Sequence, residues 1–277
     1  MTQQVEQLTA PENNPAQITL LKIREWGACS DGRDWFREKF PQGGTYGEVM
    51  NALYADKRRG DARWLADKAF RVENITAEFI ESDVTAILSA TKDASEVDTG
   101  NYARAGFSGY GARAGFSGDD AQAGFSGDDA RAGFSGNYAQ AGFSGNYAQA
   151  GFSGNYARAG FSGYGARAGF SGNYAQAAFS GDDAQAAFSG NYAQAAFSGN
   201  YAQAGFSGNY AQAECTGENA TVVFAGLNGS VSLGKGGAAT LTCYDGTRNR
   251  FVNLYEGEDG IEAGVLYRIE NGKAVRA

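Results

Sequence analysis

Three kinds of residue in this 277-residue chain could carry chemistry: a cysteine among polar neighbours, paired aspartates, and a recurring Asn-Tyr pair. The chain has no histidine. The usual general base and the commonest zinc ligand are therefore missing, which removes most hydrolase and metalloenzyme mechanisms. Cys29, in Trp26-Gly-Ala-Cys29-Ser-Asp-Gly32, has no imidazole to activate it and reads as a structural thiol. With Cys215 and Cys243 it forms an odd, widely spaced set, which is no disulfide framework and suits a reducing cytosol. The pairs Asp119-Asp120, Asp128-Asp129 and Asp182-Asp183 fall at turn positions, where calcium-binding nonapeptide rolls place theirs. Those rolls carry a G-G-x-G-x-D pattern that this chain lacks, so no metal is expected. There is no phosphate loop, dinucleotide fingerprint or acid/base pair, and the reading is of a non-enzyme without a cofactor.

The Asn-Tyr pairs give the best surface candidate. Tyr138, Tyr156, Tyr174, Tyr192 and Tyr210 recur every eighteen residues, each preceded by an asparagine. Ordered, exposed aromatics at a fixed spacing suit contact with sugars, bases or a protein groove. The bland alternative is that each tyrosine covers a corner of the fold and stacks on its neighbour.

What must position them is a nine-residue repeat. Twelve near-perfect copies run from Asn101 to Gly208 without an insertion, reading NYARAGFSG, YGARAGFSG, DDAQAGFSG and so on. A thirteenth, NYAQAECTG (209–217), replaces the phenylalanine with Cys215, and the frame drifts on to about residue 235. Within a unit, A-x-A-x-F alternates with the strand period of two, so Ala, Ala and Phe share one face and Gln/Arg and Gly/Ala the other. The S-G plus N-Y, D-D or Y-G that follows is turn chemistry. Two units, eighteen residues, make one coil of a flattened two-sheet β-solenoid, with two ladders of stacked phenylalanines facing alanines across a thin interior. Alternate turn pairs from Tyr110 read YG, DD, NY twice over, a 54-residue duplication that fits three coils of 18 or two of 27. The rival is a disordered Phe-Gly tract, against which stand the unbroken frame and the scarcity of proline, three in the chain.

The expected fold is thus mainly β: a two-sided β-solenoid with a small α-helical N-terminal domain and a β-hairpin C-terminal cap. Residues 1–14 read as a flexible arm, 15–72 as the helical domain, 73–243 as the solenoid and 244–277 as the cap. Thr45-Tyr-Gly-Glu48 is a capping box that opens a helix over 45–59, after helical spacing at 18–26 and 34–40 and before a further helix at 61–70. The aromatics Trp26, Trp35, Phe36 and Trp64 read as core. Residues 72–90 suit a first irregular coil, and Asn271-Gly272 signals a hairpin.

The net charge is −8, but residues 101–208 carry six acids against five bases. An acidic chain is not expected to bind nucleic acid through phosphates. No apolar run is long enough to span a membrane, and the first residues have no signal-peptide pattern.

The repeat S-G-[ND]-[YD]-A-x-A-x-F resembles the nonapeptides of uncharacterised bacterial, phage and prophage proteins. In these a W-x-A-C-x-x-G-x-x-W-F-like motif precedes the repeats, here Trp26-Gly-Ala-Cys29-Ser-Asp-Gly32-Arg-Asp-Trp35-Phe36. The tail Asp259-Gly-Ile-Glu-Ala-Gly264 with Tyr267-Arg-Ile, Asn271-Gly-Lys and Val275 is similar to their C-terminal segment. The resemblance implies a cytosolic protein in infected or lysogenic bacteria and lends no activity. At fold level alone it is similar to pentapeptide-repeat proteins that imitate DNA. Two functions compete: a non-catalytic scaffold that binds or inhibits a host or defence protein, and a carbohydrate- or polymer-binding module using the tyrosine ladder. A DNA-mimic solenoid is a further alternative, and oligomers are compatible with any of them.

Overall fold

Each nonapeptide gives one short strand, and the second residue of its turn decides where that strand begins. In the computed structural model, which describes residues 17–69 and 100–277, Tyr102, Tyr156 and Asp183 have φ of 64°, 58° and 57°. A left-handed residue ends one strand direction, and the alanine after it leads into the next. The strands therefore span four residues, from β3 (Arg104–Phe107) and β4 (Arg113–Phe116) to β15 (Gln212–Cys215), thirteen in thirteen units.

Alternate strands belong to opposite sheets. Odd-numbered strands pair in parallel with each other, as Arg104 to Gln122 and Phe107 to Phe125, and even-numbered strands do likewise, as Arg131 to Gln149. The register is eighteen residues in both sheets, which decides against 27-residue coils. The sheets extend through β16 (Thr221–Leu227), β17 (Ser230–Ser232) and β18 (Ala238–Tyr244), so each holds eight parallel strands. The last coil is one residue short: Thr221 pairs with Ala238 after Gln203 has paired with Thr221.

Between the sheets lies a single apolar cluster of alanines and phenylalanines. Phe125, Phe143, Phe161 and Phe179 are fully buried and stacked, with centroids 4.7–4.8 Å apart and planes 4–5° from parallel. Phe116 to Phe224 form the second column, at 4.7–4.9 Å. Each pair contributes about 0.5–1.5 kcal/mol beyond its burial. Cys215 continues the first column beside Phe197 and is fully buried.

Two kinds of glycine serve different ends. A Cβ on Gly154 would sit 1.9 Å from the Gly136 carbonyl oxygen one coil below, and the same clash recurs at the glycine that ends each repeat from Gly118 to Gly226. The strand glycines Gly115, Gly133, Gly151, Gly169 and Gly205 would meet nothing within 4 Å.

Antiparallel hairpins close the C-terminal end. β18 pairs with β19 (Asn249–Tyr255), and β17 with β20 (Leu266–Glu270), which turns at Asn271-Gly272 into β21 (Lys273–Arg276). Leu254, Ile261 and Tyr267 complete the core there. The Tyr267 hydroxyl donates to Gly260 O and accepts from Glu262 N, fastening the Gly-Glu-Asp-Gly loop.

The helical segment begins with β1 (Gln17–Ile18), which pairs antiparallel with β2 (Gly44–Thr45), a bridge the sequence did not signal. Between them are α1 (Leu20–Glu25), capped by Thr19 and ended before Gly27, and α2 (Ser30–Lys39). α2 starts earlier than its apolar spacing suggests because Cys29 caps it, its Sγ accepting from Gly32 N at 3.4 Å. The Thr45/Glu48 box is formed in both directions and opens α3 (Tyr46–Ala55), after which α4 (Arg59–Ala69) follows. Phe36, Val49, Met50, Leu53 and Leu65 form its core, while Trp26, Trp35 and Trp64 are only partly buried around it. Ala178 and Ala196, on the outer face of the odd-strand sheet, belong to this helical cluster. The arm at 1–14, the irregular coil at 72–90 and the start of the solenoid at 73 lie outside the described residues.

Gly154→Ala should lower stability by about 1–3 kcal/mol or more, as overpacking does, read from a lower denaturant midpoint. Gly151→Ala should leave stability unchanged or raise it by up to about 1 kcal/mol. Burial, with Glu214 adding to it, pushes the Cys215 thiol from 9.0 up to about 12. The folded state then keeps a proton that the unfolded state releases, so stability should fall as pH rises from 9 towards 12. A thiol-reactive dye should label exposed Cys29 in the folded protein, and Cys215 only on denaturation.

Candidate functional site

The Asn-Tyr edge is built by main-chain and side-chain ladders together. Tyr138 N donates to Asn155 O, and Asn155 N donates to Asn137 Oδ1 at 3.0 Å; the pattern repeats through Asn173, Asn191 and Asn209. The rings of Tyr138, Tyr156, Tyr174, Tyr192 and Tyr210 stack at 4.9–5.0 Å, within 7° of parallel. Tyr138 and Tyr156 are half-buried; the other three are exposed. Each inner ring has both faces against neighbouring rings. The ladder therefore offers solvent its ring edges and a file of hydroxyls, and flat stacking on a sugar or base is open only at the end rings.

The opposite edge follows the 54-residue duplication. Tyr147 and Tyr164 meet edge-on, at 5.5 Å and 84°. The Asp129 carboxylate accepts from the Tyr110 hydroxyl and holds that phenol above its usual value, and Asp183 does the same to Tyr164.

The paired aspartates stand on both edges and are not brought together. Asp119, Asp128 and Asp182 do the work that asparagine does elsewhere, each Oδ1 accepting the main-chain N–H of Asn137, Asn146 or Asn200 at 2.7 Å. Asp120, Asp129 and Asp183 occupy the left-handed turn position. Among the described residues no group of three acidic or thiol side chains is placed to hold a metal ion.

The parity of the repeat separates two outer faces that look alike in sequence. On the odd-strand sheet, Gln122, Gln140 and Arg158 are only 4–8% exposed. Arg158 Nε donates to Gln176 Oε1 at 2.9 Å, and Gln176 Nε2 to Gln194 Oε1 at 3.3 Å. On the even-strand sheet the equivalent row, Arg113, Arg131, Gln149, Arg167, Gln185 and Gln203, is open to solvent or nearly so. It borders the glycine floor and an outward serine row from Ser117 to Ser207. The same face runs on through Val223 and Thr240 to Tyr255 and Phe251, the last 68% exposed. It is nine strands deep, about 38 Å at the usual strand spacing. Arg113, Arg131 and Arg167 make no ion pair with the described residues, and no carboxylate stands in the three rows from 113 to 207. Even unit number was the signal that could have singled these arginines out.

No helix among the described residues is long and apolar enough to cross a membrane. Residues 5–73 match the family of the YdhT N-terminal domain, so the match ends before the clean nonapeptides begin. Over 40 residues the chain is 52% identical to an uncharacterised protein, YdhT, of Escherichia coli (strain K12), a stretch that is 14% of this chain and 15% of that protein. No solved structure matches.

Replacing Tyr174 removes two ring stacks but can also change the strain of a left-handed backbone, φ 57°. Tyr174→Asn should lose the two stacks alone, because asparagine adopts that region readily, whereas Tyr174→Val adds a β-branched penalty and should be the less stable of the two by about 1 kcal/mol or more. Denaturant midpoints of the two variants check the order.

Proposed function

We propose that this protein is a non-catalytic binding scaffold that docks a protein partner on the outer face of its even-strand sheet. The observation that carries this reading is the asymmetry of the two outer faces. One joins the apolar cluster of the helical segment through Ala178 and Ala196, while the other is exposed over nine strands, with three arginines that make no ion pair with the described residues. A stiff, flat surface loses little conformational freedom on binding, and its arginines suit an acidic patch on the partner. In keeping with the phage-like repeats and a bacterial protein similar over 40 residues, the partner is a host or defence protein in the bacterial cytosol, bound or inhibited by a phage or prophage product.

Two other readings have less support. A polymer-binding tyrosine ladder would have to work through hydroxyls and ring edges, since neighbouring rings occupy the inner faces. A DNA mimic needs rows of outward carboxylates, yet Asp119, Asp128 and Asp182 accept main-chain hydrogen bonds and five arginines offset the six aspartates.

Photo-crosslinking side chains installed at Gln149 and Gln185, in the full chain inside bacteria, should give adducts with one host protein. Arg131→Glu with Arg167→Glu should abolish those adducts. Absence of any protein adduct at both positions, or adducts indifferent to the charge reversal, would overturn the reading.

A further inference from the structure

Away from the solenoid, the helical segment holds a half-open cavity of about 330 Å³ between α1, α2, α3 and α4. That volume is in the range of small-molecule sites, and the lining has their usual make-up, mostly apolar with a few polar groups. Buried Phe36 and Leu53 lie at its apolar side, and half-buried Trp35 and Trp64 contribute aromatic walls. The polar side is made by the Cys29 thiol and the Asp61 carboxylate. Gly32 keeps them apart without filling the space, since a Cβ there would lie 3.5 Å from Cys29 Sγ and 4.0 Å from Asp61 Oδ1.

The carboxylate is half used. Arg58 Nε donates to Asp61 Oδ2 at 2.6 Å, whereas Oδ1 has no hydrogen-bond donor among the described residues. The cations around it are already committed. Arg58 also bridges Asp31 and lies over the Trp35 ring, and Arg33 donates to the Ala28 carbonyl at 2.7 Å. Trp35 Nε1 is directed outward to Asp56 at 2.8 Å. An apolar cavity with indole walls and one unfilled carboxylate oxygen has the chemistry that recognises an organic ammonium ion, through ring faces and a charge-assisted hydrogen bond.

We propose that this cavity binds a small aromatic amine, its ring against Phe36 and Leu53 between Trp35 and Trp64 and its ammonium group donating to Asp61 Oδ1. The site is independent of the bare solenoid face, so either assignment can fail without the other.

Phenethylamine, titrated into the full-length protein, is the probe, with tryptophan fluorescence and the indole N–H resonances of Trp35 and Trp64 as readouts. The expected result is a saturable change. Phenylpropionate, with the same ring and the opposite charge, should bind at least about tenfold more weakly, and Asp61→Asn should weaken phenethylamine by a similar factor. Leu53→Trp, which fills the cavity, should abolish the response. If that variant does not fold by circular dichroism, Asp61→Asn at a partly exposed position still decides. No saturable response in the wild-type protein, equal binding of the two probes, or unchanged affinity in Asp61→Asn would overturn the proposal.

Discussion

Up to its shortened last coil, each repeat residue of the solenoid sits on the one eighteen positions earlier, at the distance set by parallel main-chain hydrogen bonds. That in-register stacking is the constraint on which the rest depends. At such a spacing a planar ring fits face to face on an identical ring, and a side-chain amide reaches the next main-chain N–H. A glycine is forced where the turn's main chain passes closest to the coil below, at the residue that ends each repeat. The Phe columns, the Asn ladder and the Ser-Gly glycines are consequences of that one repeat distance. Asp can replace Asn on the ladder because in both it is Oδ1 that accepts the next main-chain N–H, as at Asp119 and Asn137; the Asn137 amide adds a bond to Asp119 Oδ1 at 3.3 Å.

Stacking also explains why the two strand positions facing outward are free to vary. Ala178, Ala187 and Ala196 stand where other units have glycine, and nothing in the interior registers the change. Two of the three, Ala178 and Ala196, join the helical cluster, while Ala187 is exposed on the other sheet. Variation in the repeats is therefore concentrated at the outward strand positions and the turns, and the core between the sheets is held nearly constant. A binding function placed on an outer face could be altered without disturbing the fold.

The helical segment is built on different physics. Its short helices are fixed by caps, the Thr45/Glu48 box and the Cys29 thiol among them, and by a small core that leaves three tryptophans partly exposed. Reading those tryptophans as core residues was right in part: they border the core, and two of them also border a cavity. The family match covers this segment and not the repeats, so the two parts of the chain carry separate evidence about what each does.

Much of the fold was legible because a period of nine with A-x-A-x-F inside it admits few solutions. The inward residues, the coil of two units, the phenylalanine columns, the capping box and the Asn271-Gly272 hairpin all follow from local spacing and turn chemistry. What spacing could not give was anything that depends on which neighbour lies outside a strand. Arg113 and Arg104 occupy identical sequence contexts, A-R-A-G-F, yet one faces solvent on the bare sheet and the other lies in the row that runs into buried Arg158. The stacking of the tyrosines, which hides their faces, and the cavity beside Asp61 also arise only when distant segments meet. A strand repeat specifies its own two faces, but burial of the outer one is decided by whatever else the chain packs against it.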